Sequence, residues 1–171
     1  MNNVIECIVT RRSVREFTEQ AISYDDMMQM MEAALFAPSG MNLQTWHFSG
    51  VTNKALIKSL AAAIGREIRR ADYDFYQPAA LIIPSNIPSN PLGKDDNACA
   101  IENIMIAAHA LGIGSVWINQ LQGISFVPEI RSILSEMQVP TENEVYGIVA
   151  LGYAKQKNIP APERKGQYVI L

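Results

Sequence analysis

The chain of 171 residues has few cysteines, few charges and no long hydrophobic run. Cys7 and Cys99 are its two cysteines, and they lie far apart and outside any CxxC spacing, which argues against a disulfide framework. No apolar run approaches the roughly 18 residues that a membrane-spanning helix needs. The start, MNNVIECIVTRRS, lacks the basic residues and apolar run of a secretory signal. We therefore expect a cytoplasmic protein with reduced cysteines and no membrane partner.

Other missing patterns exclude further function classes. The formal net charge is −3 without a basic stripe, which argues against nucleic acid as a partner. His47 and His109 share no metal-ligand spacing, so we expect no metal, and we interpret His109 as a histidine of the core. The glycines of GIGSVW precede a strand, whereas a dinucleotide fingerprint follows one. Ser39 lacks the GxSxG context of a hydrolase nucleophile.

The sequence has enough apolar residues for one domain, which we expect to span residues 1–171. Hydrophobic residues make up 49% and charged residues 18% of the chain, and contact with another subunit is one explanation for that balance. Helical periodicity predicts helices over residues 2–9, 24–37, 53–76, 96–111 and 125–137. Apolar β-rich runs predict strands over residues 45–52, 79–85, 115–119 and 144–153. Helices would cover both faces of a central sheet of unspecified strand order, in an α+β or α/β fold.

Local signals mark several ends of these elements. Ser23 followed by Asp26 predicts a capped helix start, and Pro38 ends that helix. Gly112 stands where a C-terminal cap glycine belongs. The prolines of NIPSNPLGKDD, residues 86–96, predict a loop. The last residues, GQYVIL, are good strand formers.

The segment RRSVREF, residues 11–17, concentrates cations in an acidic chain. Arg11, Arg12 and Arg15 lie within five positions around Ser13, so their repulsion needs compensation. A phosphate group would supply it, because guanidinium forks and a hydroxyl form strong charge-assisted hydrogen bonds with phosphate oxygens. The alternative is a solvated basic turn after a helix, with Arg12 favoured by the helix dipole.

A second polar segment, APSGMNLQTWHF, covers residues 37–48. Pro38, Ser39 and Gly40 predict a tight turn, and Asn42 and Gln44 supply amides that could face a planar heteroaromatic edge. The alternative is an ordinary connection between a helix and a strand.

Together these segments resemble the nitroreductase family of FMN-dependent NAD(P)H oxidoreductases. RRSxRxF and PSGxNxQxW are followed in order by NACAIENIMIAAHALGIGSVWIN, similar to the family's central helix and next strand, and by VYGIVALGYA, similar to its closing strand. The first two segments are also similar to iodotyrosine deiodinase, which shares the fold. The resemblance covers nearly the whole chain. It implies an α+β fold with a central mixed sheet flanked by helices, and an intertwined homodimer with FMN at the interface.

The resemblance also implies roles for single residues. Four match positions that hold the phosphate, the ribityl chain and the N1–C2=O edge of the flavin: Arg11, Arg12, Ser13 and Arg15. Four match a turn that reaches the ring from the other subunit: Pro38, Ser39, Gly40 and Asn42. Gln44 is placed near the ring. Three match a strand end beside the ring: Trp117, Ile118 and Asn119. Two match late basic residues at the phosphate: Arg164 and Lys165.

The implied activity is hydride transfer from NAD(P)H to flavin N5 and then to a nitroaromatic, quinone or similar acceptor. The alternatives are a reductive dehalogenase-type or other specialised flavin reaction, and a flavin-binding protein without turnover. The region between the middle strand and the central helix is short here, which leaves the substrate class and the nicotinamide preference open. Arg66, Arg69 and Arg70 are candidates for mid-chain ribityl contacts, with surface solvation as the alternative. The C-terminal GQYVIL is expected to cross to the other subunit as a strand, or otherwise to pack on its own.

Overall fold

The computed structural model of the chain describes residues 2–156 and 158–171. These residues form five α-helices: α1 Asn3–Thr10, α2 Tyr24–Leu35, α3 Lys54–Glu67, α4 Gly93–Ala110 and α5 Pro128–Glu136. They also form four strands: β1 Trp46–Val51, β2 Ala80–Asn86, β3 Gly114–Ile118 and β4 Ile148–Gly152. Within the described part of the chain, no helix is long and apolar enough to cross a membrane.

The four strands form one sheet in the order β1-β2-β4-β3, and each neighbouring pair is antiparallel. Trp46 pairs with Asn86 at one end of the β1–β2 ladder and Val51 with Leu81 at the other. We expected a mixed sheet with parallel and antiparallel strand pairs. Among the described residues, the parallel pairing is limited to a bridge between Ser13 and Ser115. The fold is therefore α+β, and the α/β alternative is wrong.

Helices pack on both faces of this sheet, as the sequence predicted. Strand β2 is buried along its whole length, and its alternate residues face opposite sides. Leu81 and Ile83 pack with the apolar faces of α3 and α5. Ala80 and Ile82 pack with α2 and α4. Helix α4 thus packs against the sheet on one side and contacts the surrounding segments on its other sides.

The predicted helix caps are present. Ser23 Oγ accepts a hydrogen bond from Asp26 N–H at 3.0 Å and donates one to the Asp26 carboxylate at 2.7 Å. Gly112 has φ +74°, and Ile113 N–H donates to the Ala108 carbonyl at 2.8 Å. A left-handed glycine with this bond is the usual way of closing a helix C-terminus. Helix α4 starts at Gly93, three residues before the predicted Asp96, so the loop before it is shorter than expected.

Helix α3 ends at Glu67, and the prediction that it continues to Tyr76 is wrong. Arg69 takes a left-handed φ of 57°, and Arg70 N–H donates to the Gly65 carbonyl at 2.8 Å, which closes the helix. The chain then turns so that Phe75 enters the core, where it is 1% exposed. Burial of that ring outweighs the helix propensity of the segment.

The last strand also differs from its predicted bounds. Strand β4 begins at Ile148, because Glu144 pairs with Asn86 in a separate bridge instead of extending the β4 ladder. Residues 158–171 form neither helix nor strand in the single chain, and residues 166–171 are exposed.

Candidate functional site

The arginine segment is fixed against the sheet at the start of β3. Val14 N–H donates to the Ser115 carbonyl at 2.9 Å, and Thr18 N–H donates to the Tyr153 carbonyl at 2.8 Å. Val14 and Phe17 are buried and hold the segment to the core. This anchoring places Ser13 beside β3 and leaves the arginines around it at the rim of the sheet.

The arginine segment carries donors without acceptors. Arg11 Nε lies 3.9 Å from the Glu102 carboxylate, which compensates part of the charge. Arg12 Nη1 donates to the Val9 and Arg11 carbonyls at 2.9 and 2.8 Å, so it caps the end of α1. Within the described residues, three buried donor atoms at this edge have no hydrogen-bond partner: Arg11 Nη1, Arg12 Nε and Ser115 Oγ. Buried donors without acceptors are costly, and an anion with several oxygens would satisfy them.

Two cavities lie beside residues 12–16 of this segment. The larger, of about 430 Å³, is lined by Thr10, Arg12, His109 and Ala154 together with Gln156, Asn158, Ile159 and Pro160. The smaller, of about 160 Å³, lies beside Ser13, Val14, Arg15 and Glu16 and shares Gln156 and Ile159 with the first. The arginine segment and the chain after β4 therefore border one groove.

His109 lies in this groove and not in the core, so our interpretation of it was wrong. It is half-buried, and its Nε2 lies 2.9 Å from Thr10 Oγ1. Burial lowers the pKa of His109 below its usual range, and the nearby guanidinium groups of Arg11 and Arg12 lower it further. Its position next to the arginines could not be inferred from the sequence, because about 100 residues separate it from them.

The two late residues predicted at the phosphate do not line this groove. Arg164 and Lys165 are exposed in the C-terminal segment that follows Pro160. Arg15 is exposed as well, and its guanidinium carbon lies 6.0 Å from the centre of the Tyr76 ring, at the outer limit of a cation–π contact. None of these three side chains forms an ion pair within the described residues.

The candidate ribityl arginines have other partners. Arg66 forms an ion pair with Glu129, with its Nε 3.3 Å from a carboxylate oxygen. Arg70 lies over the Tyr73 ring at 5.5 Å. Arg69 and Arg70 follow the end of α3 and do not extend its face. These contacts favour the surface role over a cofactor contact.

The second polar segment is held by a carboxylate of α4. Ser39 Oγ donates to Asp96 Oδ2 at 2.9 Å, and Gly40 N–H donates to Asp96 Oδ1 at 2.8 Å. Gln44 N–H donates to Ser39 Oγ at 3.0 Å and closes the turn. Asp96 is 4% exposed, and Asn90 Nδ2 lies 3.4 Å from it. Sequence reasoning missed Asp96, although a carboxylate in the first turn of a helix is a common partner for backbone N–H groups.

The turn presents exposed amides on a strained backbone. Met41, Asn42 and Gln44 have φ of 52°, 56° and 47°, values that residues other than glycine rarely adopt. Gln44 Nε2 donates to Asn42 Oδ1 at 2.6 Å, and both side chains are exposed, as is Pro38. Strained backbone that is held by surrounding hydrogen bonds is concentrated at functional sites.

The third predicted group lies at the far end of β3. Trp117 is 37% exposed, Ile118 is buried and Asn119 is exposed. Gly147 leaves room for the indole, since an added Cβ would collide with Trp117 Nε1 and would approach Asn119 Oδ1 to 3.2 Å. Ser13 bridges to Ser115 of this strand, so it lies beside β3 two residues before Trp117.

The arginine segment and the turn do not meet within one chain. The arginines contact the C-terminal half of α4, at Glu102 and close to His109. The turn contacts its first turn, at Asp96. At 1.5 Å per residue, Asp96 is about 9 Å from Glu102 and about 20 Å from His109 along the helix. A single subunit thus offers two separate polar sites, with β3 next to the first.

Comparisons with known proteins identify the fold. The model of the Nitroreductase family matches residues 8–82 and 93–153. A crystal structure of a Bacteroides fragilis nitroreductase with bound FMN is similar over 100% of both chains, with a TM-score of 0.93 and 37% identity. An Archaeoglobus fulgidus protein, provisionally named an NADH dehydrogenase/NAD(P)H nitroreductase, is 31% identical over 92% of this chain and 88% of its own length.

A more distant relative extends the comparison to the second branch that the sequence resembles. The iodotyrosine deiodinase of Thermotoga neapolitana is 24% identical over 94% of this chain and 92% of its own length. The family match leaves out residues 83–92, which include most of the short loop before α4. By its family match and by its likeness to these proteins over nearly its whole length, the chain belongs to the nitroreductase family.

Proposed function

We propose that this protein binds FMN and works as an NAD(P)H-dependent flavin oxidoreductase. The observation that carries the proposal is the group of buried, unpartnered donors at the arginine segment: Arg11 Nη1, Arg12 Nε and Ser115 Oγ. A phosphate group fits these donors, because it carries close to two negative charges and accepts hydrogen bonds in several directions. The bound FMN of the Bacteroides fragilis nitroreductase supports FMN as the molecule that brings this phosphate.

The groove residues would hold the phosphate end. Arg12 and Ser13 line the groove, Arg11 directly precedes them, and the bridge to β3 fixes this segment in place. Arg164 and Lys165 follow the groove-lining residues in sequence, so a short movement of the exposed C-terminal segment would bring them to the same phosphate. In this proposal the tail binds together with the cofactor.

The ring end would lie toward Trp117. Bound FMN supplies the redox chemistry, and the protein sets its position and its potential. Arg15 provides a positive charge for the N1–C2=O edge, which favours the reduced, more negative flavin. Trp117 and Asn119 are exposed at the end of β3 and offer an aromatic face and an amide to the ring. None of these side chains has to act as a general acid or base.

A second subunit would complete the site. The turn around Asn42 and Gln44 is anchored at Asp96, about 9 to 20 Å along α4 from Glu102 and His109, where the arginine segment of its own chain lies. Large apolar side chains are exposed on α1, namely Val4, Ile5, Ile8 and Val9, and others near the turn, namely Leu35, Phe36, Met41 and Leu43. Apolar surface of this extent is typical of a subunit interface. We therefore propose a homodimer in which each turn reaches the flavin of the other subunit.

The acceptor is proposed to be a small oxidised molecule such as a nitroaromatic or a quinone. The loop before α4 is short, spanning only residues 87–92 between β2 and α4, so it offers little cover over the ring. A ring with little cover suits planar acceptors that stack on it. The proposed location is the cytoplasm, where reduced nicotinamide is available and where the free Cys7 and Cys99 stay reduced.

The test is an NADH and NADPH oxidation assay on the FMN-loaded protein with nitroaromatics, quinones and iodotyrosine as acceptors. The proposal predicts multiple turnovers with at least one nitroaromatic or quinone. Turnover with iodotyrosine alone would favour the dehalogenase-type alternative. Tight FMN binding without turnover on any acceptor would indicate a flavin-binding protein and would overturn the enzyme assignment.

A further inference from the structure

His109 is a titratable group in the groove that the proposed function has not used. It stands in the last turn of α4 and lines the 430 Å³ cavity together with Arg12 and Thr10. The cavity also contains the chain after β4, which contributes the neutral side chains of Gln156 and Asn158. The charged form of a histidine is unfavourable in a cavity beside two arginines. The presence of a histidine at this position therefore needs an explanation.

The hydrogen bonds of Thr10 define the neutral form of His109. Thr10 Oγ1 lies 2.7 Å from the Glu6 carbonyl, which accepts its proton. The oxygen is then an acceptor for His109 Nε2 at 2.9 Å, so the proton of the neutral ring is on Nε2. Nδ1 is left to take up a second proton without loss of the contact to Thr10.

The charges around His109 come from three elements. Arg11 and Arg12 face it from the arginine segment, and both oppose its protonation. Helix α4 contributes Glu102 two turns earlier, which is engaged with Arg11. Helix α1 contributes Glu6, one turn before Thr10. The C-terminus of α4 favours a cation in its last turn.

We propose that His109 is a third and conditional cation of the phosphate site, which takes up a proton from solvent when a phosphate group binds beside Arg12. The inference rests on the proposed function, because it assumes that FMN brings the phosphate. A phosphate dianion cancels the repulsion from Arg11 and Arg12 and attracts the imidazolium directly. By linkage, FMN then binds more tightly as the pH falls than it would through the arginines alone.

The first test compares FMN affinity at pH 8.0 and pH 6.0 in the wild-type protein and in His109→Gln. The glutamine amide keeps a donor for Thr10 but does not titrate. The FMN phosphate titrates near pH 6 in both proteins, so the ratio of their dissociation constants isolates the histidine. We expect the dissociation constant of the variant, divided by that of the wild type, to be about threefold larger at pH 6.0 than at pH 8.0. This factor corresponds to the free energy of one partly solvated charge pair. A ratio that does not change with pH would overturn the inference.

The second test follows the imidazole directly. The chain has two histidines, so a proton NMR titration contains two Cε1–H signals, and His109→Gln identifies one of them. We expect the midpoint of the His109 signal to move to higher pH when FMN is added. An unchanged midpoint with FMN bound overturns this inference and leaves the proposed function standing. A protein that binds no FMN at either pH overturns both.

Discussion

Ser115 is the residue at which the phosphate proposal is most easily separated from folding. Its Oγ is buried without a partner among the described residues, so it contributes nothing to the fold that a methyl group would not. We expect Ser115→Ala to leave the free energy of unfolding of the flavin-free protein unchanged or raised by up to about 1 kcal/mol, and to weaken FMN binding about three- to tenfold. Urea unfolding and FMN titration measure the two quantities.

A matched control is Ser85→Ala. Ser85 is also a buried strand serine, but its Oγ donates to the His47 carbonyl at 3.3 Å and accepts from Asn143 Nδ2 at 3.1 Å. This change should reduce stability by about 1 kcal/mol with unchanged FMN affinity. If Ser115→Ala behaved like Ser85→Ala, Ser115 would have a structural role, and its Oγ would not be one of the donors to the phosphate.

Arg164 and Arg15 separate the phosphate end from the ring end. Arg164→Ala removes the charge-assisted contact that we propose with the phosphate, so FMN affinity should fall about ten- to hundredfold with little change in the flavin reduction potential. Arg15→Ala removes the cation that we propose beside the N1–C2=O edge and should lower that potential. Spectroelectrochemical titration of both variants measures the difference. Equal shifts of potential in the two would contradict the assigned roles.

At the scale of an element, the turn of residues 38–45 depends on one carboxylate. Asp96→Ala would leave the half-buried Gly40 N–H and Ser39 hydroxyl without their acceptor. We expect a loss of about 1–3 kcal/mol in the free energy of unfolding, and weaker FMN binding because the turn loses its anchor. The measurement is urea unfolding followed by FMN titration.

The neighbouring Asp95 provides the control for this change. It lies in the same first turn of α4 and is exposed, so Asp95→Ala loses only a favourable charge near the helix N-terminus. It should cost less than about 1 kcal/mol and leave FMN binding unchanged. Equal effects of the two substitutions would show that the carboxylate of Asp96 does not anchor the turn.

Elements were predictable from the sequence where local chemistry determines them. Ser23 and Gly112 mark helix ends through bonds to residues a few positions away, and both were predicted correctly. The end of α3 depends on burial of Phe75, and the start of β4 depends on which residue Asn86 pairs with. Those contacts join distant parts of the chain, so helix propensity and hydrophobic alternation gave the wrong bounds.

The candidate site shows the same division. The arginines and the PSG turn were found from their residue types, but Ser115, His109 and Asp96 were not. Each of these three acts on a segment between 56 and 102 residues away in sequence, as Asp96 does on Gly40 and Ser115 on Ser13. Only the packing of α4 and β3 brings them to the site.

At the scale of the whole molecule, the C-terminal tail tests the proposed dimer. Tyr168, Val169, Ile170 and Leu171 are exposed in the single chain, although they are good strand formers. If they add a strand to the sheet of the other subunit, deletion of residues 166–171 should loosen the dimer. Flavin should be lost as well, because in the proposed dimer the turn around Asn42 reaches the flavin of the other subunit.

Sedimentation of the truncated and full-length proteins at equal concentration measures this effect. Gly166→Ala serves as a control, because an added Cβ there meets no atom within 4 Å. That variant should keep both its dimer and its flavin. A truncated protein that stays a tight dimer with full flavin would reject the exchanged strand.

The central claim is that this chain binds FMN, and the absorption spectrum of the purified protein tests it most directly. The arginine segment offers donors for one phosphate, and no further binding motif is present for a second phosphate and an adenosine. We therefore expect flavin bands in the purified protein and FMN, not FAD, as the cofactor released on denaturation. A colourless protein that also fails to take up added FMN would contradict the proposed function.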